Sequence, residues 1–360
     1  MKKIKLGDIL ETQPKSKVKA GEGITNGKYP FYTCSNELTK SVNTADYEGD
    51  ALIMGTGGMA SIHYEKGKFS TSTDCLVYKS NKNVNLSLIN KYLRTNIYLL
   101  ENGFKGAGLR HISRDYISNI TIPLPERNLQ DKIVKELDLI EKTITNHNDV
   151  LKKYDTLIKS RFIEMFGAPD QNPLNWEISN LGNFIENANN GMARRGNDKN
   201  GKIVLRLVEL QRGFINYSDC NRIAIKTNEE KYLLKNNDFL FARVNGNPDN
   251  VGRCSYYKDI GEEVYHNDHI IRVHFDENRL NEYYLNTLLN SEYGKSEFKK
   301  YIKTSAGQYT IAQDGISSAQ IPIPPIGLQN DFASFVQQID KSKFEIANSL
   351  KRLYNKGMLS

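Results

Sequence analysis

The sequence predicts an α+β chain built twice: two similar α+β domains separated by two long antiparallel coiled-coil helices with pseudo-two-fold symmetry. Three observations predict it: an internal repeat, two apolar stripes at helical spacing, and short strand-like runs ahead of each stripe.

The repeat is the primary signal. Ile122-Pro123-Leu124-Pro125 with Leu129-Gln130 is answered 199 residues later by Ile321-Pro322-Ile323-Pro324 with Leu328-Gln329. The same offset carries Gly108 to Gly307, Ile112 to Ile311, Asp115 to Asp314, Ile117-Ser118 to Ile316-Ser317 and Leu151-Lys152 to Leu350-Lys351. Earlier in each half the register slips, Leu6-Gly7-Asp8 matching Leu181-Gly182-Asn183 and Asp50-Ala51-Leu52 matching Asp238-Phe239-Leu240. A length-critical module therefore follows a variable one, twice.

The length-critical modules read as helices. After Pro125, which suits a first helical turn, Ile133, Leu137, Ile140, Ile144, Leu151, Tyr154 and Ile158 keep an alternating four-three spacing broken at His147. This spacing predicts a helix from about 126 to Phe166, halted by Gly167-Ala168-Pro169. The second helix, about 326 to 356, carries Phe332, Val336, Ile339, Ile346, Leu350 and Leu353, with Lys343 as its exception. The first helix leads out of one front module and into the next, so a pair made with the second helix is antiparallel. In the front modules, Ala51 to Met54, Cys75 to Val77, Phe239 to Phe241 and Ile270 to Phe275 read as short strands between turn residues. Leu86 to Leu100 and Leu280 to Tyr301 read as helices. The resulting division is residues 1–124 and 168–324 for the two domains, 125–167 and 325–360 for the two helices.

Composition narrows the partners. Forty-nine basic against 42 acidic side chains give a net charge of +7 and a pI near 8.9, which suits a polyanionic partner without resembling a basic tail. Cys34, Cys75, Cys220 and Cys254 lack paired spacing and read as reduced thiols, which places the chain in the cytoplasm. Met1-Lys2-Lys3-Ile4-Lys5 opens like a targeting segment, but Gly7, Asp8 and Glu11 interrupt it, so neither a targeting segment nor a membrane span is expected.

The Gly-x-x-x-Ile…Ile-Pro-x-Pro…Leu-Gln run opening each helix, Gly108 to Gln130 and Gly307 to Gln329, resembles the end of the target recognition domains of type I restriction-modification specificity subunits. Tyr29-Pro30-Phe31-Tyr32-Thr33-Cys34-Ser35, Asp50-Ala51-Leu52-Ile53-Met54-Gly55 and Asn267-Asp268-His269-Ile270-Ile271-Arg272 are similar to other stretches of that family. The resemblance implies two target recognition domains that each read half of a bipartite double-stranded DNA site. It also implies helices that fix the gap and dock two methyltransferase subunits, with restriction subunits joining through the complex. S-adenosylmethionine, and the ATP and Mg of restriction, then belong to partner subunits. Two alternatives share features of the chain: the specificity subunit of a type IIB-like enzyme, and a coiled-coil protein-interaction adaptor, which the basic balance disfavours.

The chain itself reads as non-catalytic. Asn172-Pro173-Leu174-Asn175 and Asn247-Pro248-Asp249-Asn250 fall short of an adenine methyltransferase tetrapeptide. Gly294-Lys295-Ser296 lacks the first glycine of a phosphate loop, Leu289 standing there. His266, His269 and His274 lack companion ligands at metal spacing and read as structural. Gly55-Thr56-Gly57-Gly58 reads as a turn permitting close approach.

Cationic and amide side chains in loops are what phosphate and base contacts require. The candidates in the first domain are Lys15, Lys17, Lys19, Lys68, Ser70, Thr71, Ser72, Arg110 and His111. In the second they are Arg194, Arg195, Arg212, Arg243, Asn245, Asn247, Arg253, Gln308 and Tyr309. Off the pairing stripe, Val134, Leu139, Val150 and Leu157 are candidates for docking partner helices.

Overall fold

A computed structural model describes residues 2–80, 82–305 and 307–358. Residue 1 of the first predicted domain and residues 359–360 of the second predicted helix lie outside the described residues. Two compact units emerge, one of residues 1–145 with 355–360, the other of residues 146–354.

The first unit begins with β1 (Lys2–Lys5), β2 (Glu11–Thr12), β3 (Tyr29–Tyr32), β4 (Lys40–Val42), β5 (Tyr47–Glu48), β6 (Ala51–Gly55), β7 (Ile62–Glu65), β8 (Lys68–Thr71) and β9 (Cys75–Lys79). Helices α1 (Leu86–Thr95), α2 (Tyr98–Glu101) and α3 (Arg114–Asn119) and strand β10 (Thr121–Leu124) follow, and then the long α4 (Arg127–Phe166), which belongs to this unit up to Thr145 and to the second from Asn146. Its sheets run β2-β9-β6-β7 and β4-β3-β8-β5, with β1 pairing β10 as a separate ribbon. Strand β6 is buried throughout, as Ala51-Leu52-Ile53-Met54 predicted.

The second unit contains β11 (Glu177–Asn180), β12 (Ile185–Asn190), β13 (Lys202–Leu205), β14 (Arg222–Ile223), β15 (Phe239–Ala242), β16 (Val244–Asn245), β17 (Cys254–Tyr256), β18 (Val264–His266) and β19 (Ile270–Phe275). After α5 (Glu282–Leu289) and α6 (Glu292–Lys299) come β20 (Lys303–Ser305), β21 (Gln308–Thr310), α7 (Gln313–Ser317), β22 (Gln320–Ile323) and α8 (Ile326–Met358). The sheet order β12-β19-β15-β17 repeats β2-β9-β6-β7, and the ribbon β11-β22 repeats β1-β10. The parallel pair β3-β8 recurs as β13-β18. The duplication read in sequence is thus a duplication of topology.

The repeated Leu-Gln pair has a structural reason. Gln130 and Gln329, at 2% and 0% exposure, sit in the first turns of α4 and α8. Each side-chain carbonyl accepts the backbone N–H of the residue capping the domain's helix, Asn85 at 2.8 Å and Asn281 at 2.9 Å. Each amide donates back to a carbonyl in the Pro-x-Pro segment, Pro125 O and Pro324 O, both at 2.8 Å. Each long helix is thereby fastened to its domain by the same bracket. Gly7 and Gly182 are a second matched pair: a Cβ there would lie 2.9 Å from Ser118 Cβ and 3.0 Å from Ser317 Cβ, so a side chain is excluded by close approach.

The long helices match their expected bounds closely. Helix α4, 40 residues and about 60 Å at roughly 1.5 Å per residue, stops at Gly167, whose φ of 76° is the left-handed turn that closes helices. Within the second unit the last turns of α4 pack on α8: Phe162 and Phe166 lie 5.5 and 5.6 Å from the Phe332 ring. Arg161 stacks over Phe335 at 5.8 Å, and Lys343 reaches Asp155 at 2.6 Å. Numbering falls along one helix as it rises along the other, so this contact is antiparallel. Phe332, Val336, Ile339 and Leu350 are buried on the predicted stripe, and Lys343 interrupts it by pairing with Asp155.

Two predicted helices are each broken in two. The Leu86–Leu100 segment divides at Asn96, whose amide caps α1 on Tyr92 O at 2.9 Å. The Leu280–Tyr301 segment divides at Asn290 and Ser291, where Asn290 turns to Asn286 O at 2.9 Å and Ser291 Oγ accepts the Gly294 N–H at 3.3 Å. Side chains that satisfy terminal backbone groups end a helix that periodicity alone would extend. Gly294 is accordingly helical rather than part of a loop.

Candidate nucleic-acid interface

In the second unit, four segments meet through backbone hydrogen bonds. The loop after β12 joins the turn before β19 through Asp268 N–H to Met192 O, 3.0 Å. That turn joins the segment after β15 through Arg243 N–H to His269 O, 2.8 Å. The segment in turn receives the hairpin β20-β21 through Ile311 N–H to Arg243 O, 2.9 Å, with Asn245 opposite Tyr309.

This crossing gathers predicted residues from distant positions. Arg195, with a side chain 55% exposed, pairs with Asp268 at 2.7 Å and lies 3.4 Å from His269 Nε2. Arg243 donates to Asp268 O at 3.1 Å. Asn245, Gln308 and Tyr309 lie on the adjoining strands, and Asn247 is exposed just beyond.

The first unit repeats the crossing bond for bond. Thr73 N–H reaches Val18 O at 3.0 Å, Thr56 N–H reaches Asp74 O at 2.8 Å, and Ile112 N–H reaches Thr56 O at 3.1 Å. Exposed Lys15, Lys17 and Lys19 lie on the loop that Val18 anchors. Exposed Arg110 and His111 flank the Gly55–Gly58 turn, Gly58 N–H bonding Arg110 O at 3.0 Å. Two independently chosen candidate groups thus occupy equivalent positions in the two domains.

Several candidates lie elsewhere. Ser70, Thr71 and Ser72 are fully buried at 0%, which corrects their reading as loop residues. Strand β8 runs inside its sheet, parallel to β3, and Ser70 Oγ is engaged by Asp46 N–H at 2.9 Å and Thr44 O at 3.1 Å. Lys68 starts that strand and pairs with Glu48 at 3.7 Å. Arg194 is held by Glu229 through Nε at 2.7 Å and Nη2 at 2.5 Å, and by Ala224 O at 2.6 Å, so its guanidinium braces the domain. The same pairing holds the Glu229 carboxyl down at about 2. Arg212 bonds Asp249 O, and half-buried Arg253 bonds Leu207 O at 2.5 Å. Burial, and then the neighbouring Arg212 charge, loosens the Arg253 proton relative to an ordinary guanidinium.

Sequence reasoning missed Lys105, Lys303 and His269. Lys105 pairs with His111 in the first crossing, Lys303 with Thr310 in the second, and His269 closes on Arg195. The 199-residue register through Arg110 and Tyr309 marks the hairpin, whereas no local pattern joins His269 to Arg195, 74 positions earlier. His266 is fully buried, with Nδ1 3.1 Å from Tyr232 O, and desolvation pushes it down to about 3. His274 bonds Asp238 at 2.8 Å. Among the described residues no three His, Cys, Asp or Glu side chains are grouped to hold a metal ion.

On the long helices, Leu139 and Leu157 are 65% and 47% exposed and Val150 is half-buried. Val134 corrects the expectation of a docking residue, being only 9% exposed. It shares a helix face with Asp131, Asp138 and Glu141, which Asn85 and Lys91 of the α1 region engage at 2.7–2.9 Å, so the domain's own helix covers it.

A sequence model of the type I restriction modification DNA specificity domain matches residues 1–153 and again 173–353. The chain belongs to that family. The two matches coincide with the two halves of the repeat, as two specificity domains in tandem. The chain is 29% identical to the type I restriction enzyme StySPI specificity subunit of Salmonella potsdam over 266 residues, 69% of this chain and 57% of that one. It thus spans little over half the length of that relative. To the EcoKI specificity subunit of Escherichia coli K12 it is 22% identical over 92% of this chain and 78% of the other. The specificity-domain fold matches the crystal structure of a type I restriction-modification S subunit from M. genitalium with TM-score 0.68 at 12% identity, covering 98% and 92% of the two chains. A chain from a study of complex assembly and conformational transition of the type I R-M system matches at 0.55 and 14% identity, covering 98% and 94%. No helix among the described residues is long and apolar enough to cross a membrane.

Proposed function

We propose that this specificity-domain protein is the DNA-sequence specificity subunit of a type I restriction-modification enzyme, each domain reading one half of a bipartite site in duplex DNA. The observation that carries the proposal is the duplicated crossing. In both halves of a chain that matches the specificity domain twice, the same three backbone hydrogen bonds draw together the segments that carry basic side chains, joined in the second half by amide side chains. Arginine can pair with guanine edges and phosphates, asparagine and glutamine with adenine, and lysine with phosphates.

The chain's role is recognition and positioning, and chemistry belongs to its partners. The exposed leucines of α4 offer apolar area to helices of two methyltransferase subunits, which would bring S-adenosylmethionine. Restriction subunits joining through the complex would bring the use of ATP and Mg. The length of the helices sets the gap between half-sites, and the complex works in the cytoplasm. Methylome sequencing of cells with and without the gene is the test. A split motif with a fixed gap that disappears with the gene is expected, and a methylome indifferent to the gene would overturn the reading.

A further inference from the structure

Met59 and Leu109, at 72% and 71%, are the most exposed large apolar side chains among the described residues. They are neighbours. Gly57 pairs with His111 in an antiparallel bridge and Gly58 N–H bonds Arg110 O, so the residues that immediately precede Met59 and follow Leu109 are joined and the two bends that carry these side chains adjoin.

Scattered apolar residues on a surface need no explanation, but these two stand on adjoining bends and contribute little to the core. Their surroundings are cationic: Lys105 and Arg110 are exposed on the adjoining segment, beside exposed His111. Through Thr56, Asp74 and Thr73 the bends are continuous with the loop of Lys17 and Lys19. In the second domain the equivalent ladder pairs Val244 with Thr310 and Asn245 with Tyr309. The 199-residue register carries Leu109 to Gln308, so an amide stands where the first domain has Leu109.

Among groups that duplex DNA displays in its major groove, the thymine C5-methyl is the apolar one, while a glutamine amide matches adenine. An apolar pair inside a cationic rim fits a polyanion whose base edges carry such a methyl. We propose that Met59 and Leu109 are specificity-determining residues of the first domain that contact the C5-methyl group of a thymine in its half-site. This rests on the reading above that the crossing meets duplex DNA.

The test uses the full chain assembled with its methyltransferase subunits and duplexes carrying the mapped site. Each thymine of the first half-site is replaced in turn by deoxyuridine, which removes one methyl and keeps the base pair. Wild-type complex should lose about four-fold in affinity at one such position, the effect of one buried methyl group. A Met59→Ala, Leu109→Gln double variant should lose that sensitivity and keep its dependence on the second half-site. Indifference of the wild-type complex to every uracil, with half-site discrimination intact, overturns the inference and leaves the functional reading standing. Retention of the uracil sensitivity by the variant overturns it equally. A variant that binds DNA normally yet no longer assembles with its partners assigns the pair to protein docking instead. Absence of any sequence discrimination by the wild-type complex overturns the functional reading itself.

Discussion

Replacing Gln329 by alanine would open the bracket that fastens α8 to its domain. The side chain is fully buried, accepts the Asn281 N–H at 2.9 Å, and donates to Pro324 O at 2.8 Å and Arg279 O at 3.2 Å. Alanine leaves that N–H and those carbonyls without partners in a site closed to water. Each orphaned buried group costs about 1–3 kcal/mol, less for a carbonyl that retains a second acceptor site, and we expect a total of about 3 kcal/mol. For a unit of about 200 residues, at roughly 2–4 °C per kcal/mol, the midpoint should fall by roughly 6–12 °C. The chain has a single tryptophan. Trp176 belongs to this unit and its indole N–H bonds Phe166 O at 2.9 Å, so its fluorescence reports the unit's unfolding in urea and on heating. Gln337→Ala, the same change at an exposed position of the same helix, should shift stability by less than about 0.5 kcal/mol. Gln329→Glu keeps the acceptor but can donate to neither carbonyl when ionised, and should be at least as damaging. A loss below about 1 kcal/mol for Gln329→Ala, or one equal to that of Gln337→Ala, would refute the bracket.

Four further outcomes are expected. Arg195→Ala should reduce the slope of log affinity against log salt by about 0.9, one phosphate's worth, in binding titrations at several salt concentrations; an unchanged slope removes Arg195 from the phosphate contacts. Leu139→Asp and Leu157→Asp should each weaken co-purification with the methyltransferase subunits while circular dichroism stays unchanged, and intact assembly would exclude that surface. Glu229 has its carboxyl held from 4.5 down to about 2, first by the Arg194 hydrogen bonds, so its stabilisation is complete above the unfolded value of 4.5 and lost as pH falls towards 2. Melting temperatures of Glu229→Gln should therefore be lower at pH 7 and fall less steeply between pH 4.5 and 2, and parallel curves for both proteins would contradict the pairing. Four residues inserted between Asn146 and Asn148 add about 6 Å at 1.5 Å per residue, and methylome sequencing should show the gap lengthened by one or two base pairs of about 3.4 Å, with unchanged half-sites.

The features legible in sequence are those governed by periodicity or duplication. The stripe from Phe332 to Leu350 gave α8 its buried face, and the 199-residue register gave the matched ribbons and helix starts. Contacts between remote segments were not legible. Gln130 finds Asn85, which lies 45 positions earlier, and no local pattern announces that partner. Ser70 to Ser72 looked like a polar loop because composition records what a side chain is. Whether a carbonyl such as Thr44 O lies ready to satisfy it is a fact of the fold. Val134 was misplaced for a related reason: apolar positions on α4 identify area to be buried, but not that α1 of the same domain already covers part of it.

The ribbons β1-β10 and β11-β22 have a consequence for how such a chain can change. Lys2 lies opposite Leu124, and Glu177 opposite Ile323, so each domain enters and leaves its helical frame at adjacent backbone positions, about 5 Å apart in an antiparallel pair. Each is topologically a cassette sewn shut at its mouth. Residues added within it lengthen a loop whose ends are already joined, at an entropic cost that grows only logarithmically with length. The second cassette is indeed the longer of the two, yet Pro125 and Pro324 open their helices in the same way. Substance can therefore be gained, lost or exchanged inside either cassette while the seam, and the helix that starts from it, keeps its dimensions.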